Sequence, residues 1–166
     1  MSVIATIGVY GFTADSFLEA LRTADVTVVL DVRQRRGVRG SEYAWANARR
    51  LERALAEAGI GYRHHRELAP TTEMRQLQYR EDARRGVGQR SRAALAPEFA
   101  ARYEREVLDR ADLERVVRDL PRRGLAALMC VERDPEACHR SLIAQRLARG
   151  HGLQVRHLLS GSSRRP

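Results

Sequence analysis

Two nearly uninterrupted apolar runs stand out along the chain. One is Val26 to Val32 (Val-Thr-Val-Val-Leu-Asp-Val), the other Gly124 to Val131 (Gly-Leu-Ala-Ala-Leu-Met-Cys-Val). A run of this length without polar alternation predicts a strand covered on both faces, as in a parallel sheet. Val3 to Gly8 is a β-branched run ending on glycine, and Ile60 to His64 and Val155 to Leu159 read as two further short strands. Between them the apolar residues change to helical spacing. Phe17, Leu18 and Leu21 mark a helix over Ser16 to Ala24, capped by Thr13 or Asp15. Leu51, Ala54, Leu55 and Ala58 mark a second over Ala48 to Ala58, closed by Gly59. Glu98 to Leu108 follows Pro97 as a third, Asp112 to Leu120 gives a fourth, and Cys138 to Arg149 carries Leu142, Ile143, Arg146 and Leu147 on a fifth. Residues 33–47 and 67–72 read as loops. Residues 73–92 are charged and weakly amphipathic, predicting a helix and then a flexible Gly86-Val87-Gly88 segment. Strands alternating with helices predict βαβ units. The expected fold is a single Rossmann-like α/β domain over residues 1–160, with a mostly parallel central sheet flanked by helices and a short polar tail at 161–166.

Composition agrees with this picture. A chain of 166 residues that is 43% hydrophobic is long enough for one domain with a proper core. No apolar run approaches a membrane span, and Met1-Ser2-Val3-Ile4-Ala5 lacks the basic start of a signal peptide. The two cysteines are therefore expected as reduced thiols in the cytoplasm. The net charge of +9 favours phosphate-bearing partners, DNA most concretely. All 30 basic residues are arginine, so a compositional bias explains the charge equally well. The absence of lysine removes the Walker A lysine and any lysine Schiff base. No cofactor is expected.

In open α/β sheets, ligands bind beyond the carboxyl ends of the strands. Thr6-Ile7-Gly8, Asp31-Val32-Arg33 and Cys130-Val131-Glu132 reach that edge, the last followed by an Asp134-Pro135 turn and Cys138-His139-Arg140 at a helix start. Gly8 would let a ligand approach the backbone closely. Asp31 and Arg33 are expected to diverge to opposite faces, leaving Asp31 either a structural ion pair or a buried catalytic carboxylate. Cys138 at a helix N-terminus could be a nucleophile with His139 or Glu132 as base, or a packing residue with His139 as a cap. Arg140 could clamp an anion. Cys130, inside an apolar strand, reads as packing. Cysteine phosphatases and rhodaneses place arginine six residues after the cysteine; here those positions are Glu136 and Ala144. Cys130, Cys138, His139 and a distant His64 or His157 lack the compact spacing of a four-ligand zinc site, so no metal is expected. His64 and His65 read as a solvated pair, and His151 and His157 as surface or cap residues.

Thr6-Ile7-Gly8, Leu30-Asp31-Val32-Arg33, Gly59-Ile60-Gly61-Tyr62, Glu67-Leu68 and the block from Leu128 to Arg140 resemble the DUF488 family of small bacterial and archaeal α/β proteins. The resemblance runs from about Val3 to Leu159. Its most specific part is Cys130-x-Glu132…Pro135-x-x-Cys138-His139-Arg140. Two departures are visible. Val9-Tyr10-Gly11 replaces the His-Ser or Tyr-Glu-Gly that often follows Thr-Ile-Gly, and Gln34 to Arg39 replaces the usual Pro-x-Ser-Arg. The resemblance implies a Rossmann-like domain with a polar site at these motifs. It also implies a link to N-glycosidic removal of modified pyrimidines from DNA, as in some members.

The resulting expectation is a nucleic-acid-directed enzyme, a monofunctional DNA glycosylase. Asp31, Glu132, Cys138 and His139 would be catalytic, and Gly8, Tyr10, Arg33 and Arg140 would bind substrate. Arg35, Arg36, Arg39, Tyr43 and Trp45 would hold the nucleic acid. The alternatives are a non-catalytic module binding nucleic acid or protein, and a cysteine-dependent enzyme acting on a small anionic metabolite.

Overall fold

A computed structural model describes residues 2–161. The tail expected from 161 lies outside the described residues beyond Gly161. Five strands, β1 (Val3–Gly8), β2 (Val26–Asp31), β3 (Gly61–His64), β4 (Leu125–Cys130) and β5 (Gln154–Leu158), form one sheet in the order β3-β2-β4-β1-β5. Every neighbouring pair is parallel. The expected α/β class therefore holds, and the sheet is wholly parallel.

The alternation of side chains along the two central strands divides the core. Val28, Leu30 and Val32 of the β2 segment and Ala126, Leu128 and Cys130 of β4 pack with helices α3 (Thr72–Arg85), α4 (Pro97–Glu106), α5 (Leu113–Arg118) and α6 (His139–His151). Val29, Ala127 and Met129 point the other way, towards α1 (Ala14–Thr23) and α2 (Ala48–Glu57). Thr13 is the α1 cap: its hydroxyl accepts from the Ser16 amide and Ser16 returns a bond to the Thr13 amide. Leu51 and Leu55 of α2 are sealed against the sheet. Truncating Leu55 to alanine would cost about 2–5 kcal/mol. Gly59, with φ of 71°, turns the chain out of α2 in a left-handed conformation that a side chain would strain.

The connections place the site. The chain leaving β2 goes outward to β3, whereas the chain leaving β4 crosses past β1 to β5 on the other side. The carboxyl ends of β2 and β4 are adjacent, and their connections diverge. That is the crevice of an open parallel sheet in which ligands bind. Among the described residues, no helix is long and apolar enough to cross a membrane.

Candidate functional site

β4 delivers Cys130 to the α4/α6 side of the sheet, and the two-residue period brings Glu132 to the same side. A 3₁₀ turn over Pro135–Ala137 then returns the chain so that α6 starts at His139, with Cys138 as its N-cap residue. The sulfurs of Cys130 and Cys138 and a ring nitrogen of His139 all lie within 4.8 Å of one another. His139 Nδ1 is 3.7 Å from Cys130 Sγ and 3.8 Å from Cys138 Sγ. Its Nε2 stands 2.8 Å from the Val32 carbonyl, which can only accept, so Nε2 carries the hydrogen and Nδ1 faces the sulfurs. The Tyr103 ring packs on the imidazole at 5.4 Å, and its hydroxyl donates to the Leu68 carbonyl.

Glu132 is 8% exposed, and its two oxygens are treated differently. Oε1 accepts from Arg92 Nη2 at 2.7 Å and Gln89 Nε2 at 3.2 Å, while Oε2 lies 3.4 Å from Cys130 Sγ. Arg92 is held from behind by Asp82 at 2.8 Å, and Asp82 by Gln78 at 2.9 Å. Burial, followed by the charge on Cys138, raises the Glu132 pKa above the ordinary carboxylate range. Burial likewise drives the Cys130 thiol up, next to Cys138. At Cys138 burial acts in the same direction, but a hydrogen bond from Cys130 and the charges of Arg140 and His139 outweigh it and hold the thiol well below its usual value. Burial opposes the charged form of His139, yet the Cys138 thiolate and Glu132 raise its pKa. A cavity of about 50 Å³ opens over this floor, with Arg35, Arg75, Tyr79, Gln78, Gln89 and Arg92 around it. That volume holds on the order of a few water molecules.

The structure separates residues that the sequence grouped together. Asp31 and Arg33 do not diverge; residues two apart on a strand share a face, and here they are bound to each other. Arg33 Nε and Nη2 each meet one Asp31 oxygen at 2.9 Å, the Arg33 amide adds a third bond at 3.1 Å, and the Tyr62 hydroxyl donates a fourth. Asp31 lies on the Val29 face of β2, the α1/α2 side of the sheet, and does not line the cavity. Arg33 borders the cavity, but its guanidinium is engaged by Asp31 and the Ala46 carbonyl. Gly8 serves the chain itself: a Cβ there would lie 1.8 Å from the Glu132 carbonyl oxygen. Arg140 is wholly buried and donates to that same carbonyl, to the Arg133 carbonyl and to Thr6 Oγ1, so it braces the turn after β4.

Tyr10 is buried against Tyr43, with the Arg90 guanidinium over both rings. Arg35 reaches the cavity, Arg36 pairs with Glu52, and Arg39 is exposed. Trp45 packs on Phe17 in the α1/α2 core, remote from the cavity lining. His65 is buried between Glu67 and Asp119, and His64 Nε2 meets the Arg33 carbonyl, so neither is freely solvated. His157 bonds Thr6 across β5 and β1. Cys130, which reads as packing in the sequence, belongs to the polar cluster. Its position two residues before Glu132 was the available signal. Arg92 and Gln89 carry no sequence signal. Their segment is not loose after Gly86: Gln89 and Arg92 grip Glu132, and Arg90 binds Glu42 and the Arg39 carbonyl.

The motif that carries this cluster lies inside a family match. The family model described as "Domain of unknown function DUF488" matches residues 13–147, most of the chain. The chain belongs to the DUF488 family. No curated protein and no solved structure matches it. In this DUF488 protein the motif residues divide by role in the fold. Cys130, Glu132, Cys138 and His139 form the cavity floor, while Gly8 and Arg140 hold that floor in place.

Proposed function

We propose that this DUF488 protein is a hydrolase acting on nucleic acid, cleaving the N-glycosidic bond of a modified pyrimidine in DNA. One observation carries the reading. A buried carboxylate, Glu132, is fixed through one oxygen by Arg92 and Gln89, and its cavity opens at the sheet's crevice between arginines. The net charge of +9 supports a polyanionic substrate. Arg35 and Arg75 at the rim suit phosphate, and Tyr79, 38% exposed beneath Arg75, offers a stacking surface for a base. Arg92 Nε is buried without a hydrogen-bond partner, a donor left for the base. The target nucleotide flips towards Glu132, which requires the rim at Arg35, Arg75 and Tyr79 to part while Gln89 and Arg92 keep their hold, because the closed cavity of about 50 Å³ is too small for a pyrimidine. Glu132 orients water towards the sugar's anomeric carbon and takes its proton. The C–N bond breaks with its electron pair going to the base nitrogen, the water oxygen bonds the anomeric carbon, and the proton taken up by Glu132 passes to the departing nitrogen. Asp31 has no part in this chemistry.

Duplexes carrying a panel of modified pyrimidines test the reading by chromatographic detection of free base. Release by the wild type, lost in Glu132→Gln with the fold intact, is expected. No release across the panel would sink it. The cavity's small volume favours a second reading, a cysteine-dependent enzyme on a small anion. That reading requires alkylation at Cys138 much faster than at Cys130 and no DNA affinity at moderate salt.

A further inference from the structure

Acid–base work at Glu132 leaves two buried thiols and an imidazole unexplained, all on the floor of the same cavity. We infer that Cys130 Sγ, Cys138 Sγ and His139 Nδ1 bind one divalent transition-metal ion of the zinc class, with a fourth position open to the cavity beside Glu132.

The distances fit. Metal–sulfur bonds of about 2.3 Å and metal–nitrogen bonds of about 2.0–2.1 Å in a tetrahedron place ligand atoms roughly 3.5–3.8 Å apart. The two sulfur–nitrogen separations are 3.7 and 3.8 Å, and all three atoms lie within 4.8 Å of one another. The imidazole is already oriented. Donation from Nε2 to the Val32 carbonyl fixes the ring and turns Nδ1 to the sulfurs, the supporting bond that metal-ligating histidines make. The ligands sit on rigid elements, one at the end of β4 and two at the start of α6. Arg140 donates to the Glu132 carbonyl and Gly8 leaves the room that carbonyl occupies, so the arrangement is set without an ion.

Ligand chemistry narrows the metal class. Two sulfurs and one imidazole nitrogen favour zinc-class ions over magnesium or calcium, which take oxygen. Three protein ligands with one open position is the pattern of a reactive site rather than a closed structural one. Glu132 stands beside that position without completing the set: Oε2 is 3.4 Å from Cys130 Sγ but falls outside the mutually close group. Ligand spacing along the chain conceals the site, because it joins Cys130 to Cys138-His139 with no Cys-x-x-Cys pair.

The inference stands apart from the glycosidic reading. If base release fails while metal binds, only that reading falls; if base is released with no metal bound, only this one does. The test titrates reduced, chelator-treated full-length protein with Co²⁺ as the optical probe and Zn²⁺ as competitor. One equivalent of Co²⁺ is expected to give a tetrahedral spectrum with thiolate charge transfer, displaced by Zn²⁺. Zn²⁺ should also protect both thiols of the native protein from iodoacetamide until chelator is added. Cys130→Ser and Cys138→Ser should each weaken binding at least tenfold and reduce the charge-transfer band, whereas Glu132→Gln should keep both stoichiometry and band. A wild-type titration without thiolate charge transfer, or thiols alkylated equally with and without Zn²⁺, overturns the inference whatever the variants do.

Discussion

Two buried carboxylate–arginine pairs sit at the same edge of this sheet, on its opposite faces, and they are built for different ends. Asp31 receives four bonds: two from the Arg33 side chain, one from the Arg33 amide and one from Tyr62. Its partner also donates to a backbone carbonyl, so the group is closed. Glu132 has two strong donors on one oxygen, whereas the other accepts only from the Cys130 thiol at 3.4 Å, and a cavity lies above it. A buried charge saturated by its own chain holds a fold together. One whose second oxygen has only a weak thiol donor, beside an opening and among groups with displaced pKa values, is a candidate for chemistry. Residue type and position at the sheet edge do not separate the two cases; the count of partners on each oxygen does.

The largest expected effects set the pairs directly against each other. Glu132→Gln should lower base release by roughly 10²–10⁴-fold, the usual weight of a general acid–base group. Its stability loss should be about 1 kcal/mol, because Arg92 keeps Asp82. Asp31→Ala should do the reverse. Removing one partner of a buried pair strands Arg33, at a cost of about 3–5 kcal/mol. For a chain of this size that is on the order of 10 °C in Tm. Urea unfolding beside the base-release assay reads both variants. If Asp31→Ala kept its stability but lost activity, the division of roles would be broken.

A backbone position sharpens the contrast. A side chain at Gly8 would meet the Glu132 carbonyl first and the Arg140 guanidinium next. Gly8→Ala places a methyl 1.8 Å from that oxygen, an overlap only backbone movement relieves. The expected loss is about 1–3 kcal/mol, together with displacement of Glu132 and a fall in activity beyond what stability explains. Gly37→Ala, whose nearest neighbour would be 3.9 Å away, is the matched control and should change neither.

Much of this was legible in the sequence. The unbroken apolar runs gave β2 and β4, and the Cys-x-Glu and Cys-His-Arg motifs marked the cavity floor. The allocation of residues to faces was harder. Asp31 and Arg33 were expected to diverge, whereas the strand period pairs them; that period also puts Cys130 with Glu132, although its apolar neighbours gave it a packing role. Gly8 and Arg140 looked like ligand groups because a close backbone approach and a buried guanidinium serve a chain segment as well as a substrate. Arg92 and Asp82 were not legible at all. They lie in a charged segment whose weak amphipathic pattern does not reveal which charges turn inward. Trp45, in an arginine-rich loop, resembles a nucleic-acid contact until the packing of Phe17 is known.

A pH-dependent effect tests whether the Asp31 group is as closed as its bond count indicates. Tyr62 donates to Asp31 Oδ2, and its own oxygen accepts from Arg36 at 3.3 Å. Burial first, then the Asp31 charge, pushes the Tyr62 pKa up to about 12 from 10.0. The folded state therefore keeps a proton that the unfolded chain releases at lower pH. The stability Tyr62 contributes is complete below pH 10.0 and is lost as pH rises towards about 12. At neutral pH, Tyr62→Phe should cost about 1.5–3 kcal/mol, the range for a hydrogen bond to a charged group, with the lower end favoured by its partial exposure. Tyr10 and Tyr103 also have raised pKa values, so the wild-type alkaline decline is a sum. The difference between wild type and Tyr62→Phe isolates one residue: the variant should unfold more easily at pH 8, and the gap should narrow above pH 10.0. A gap unchanged across that window would mean that the hydroxyl does not hold its proton against Asp31, and that the Asp31 pair is no more closed than the one at Glu132.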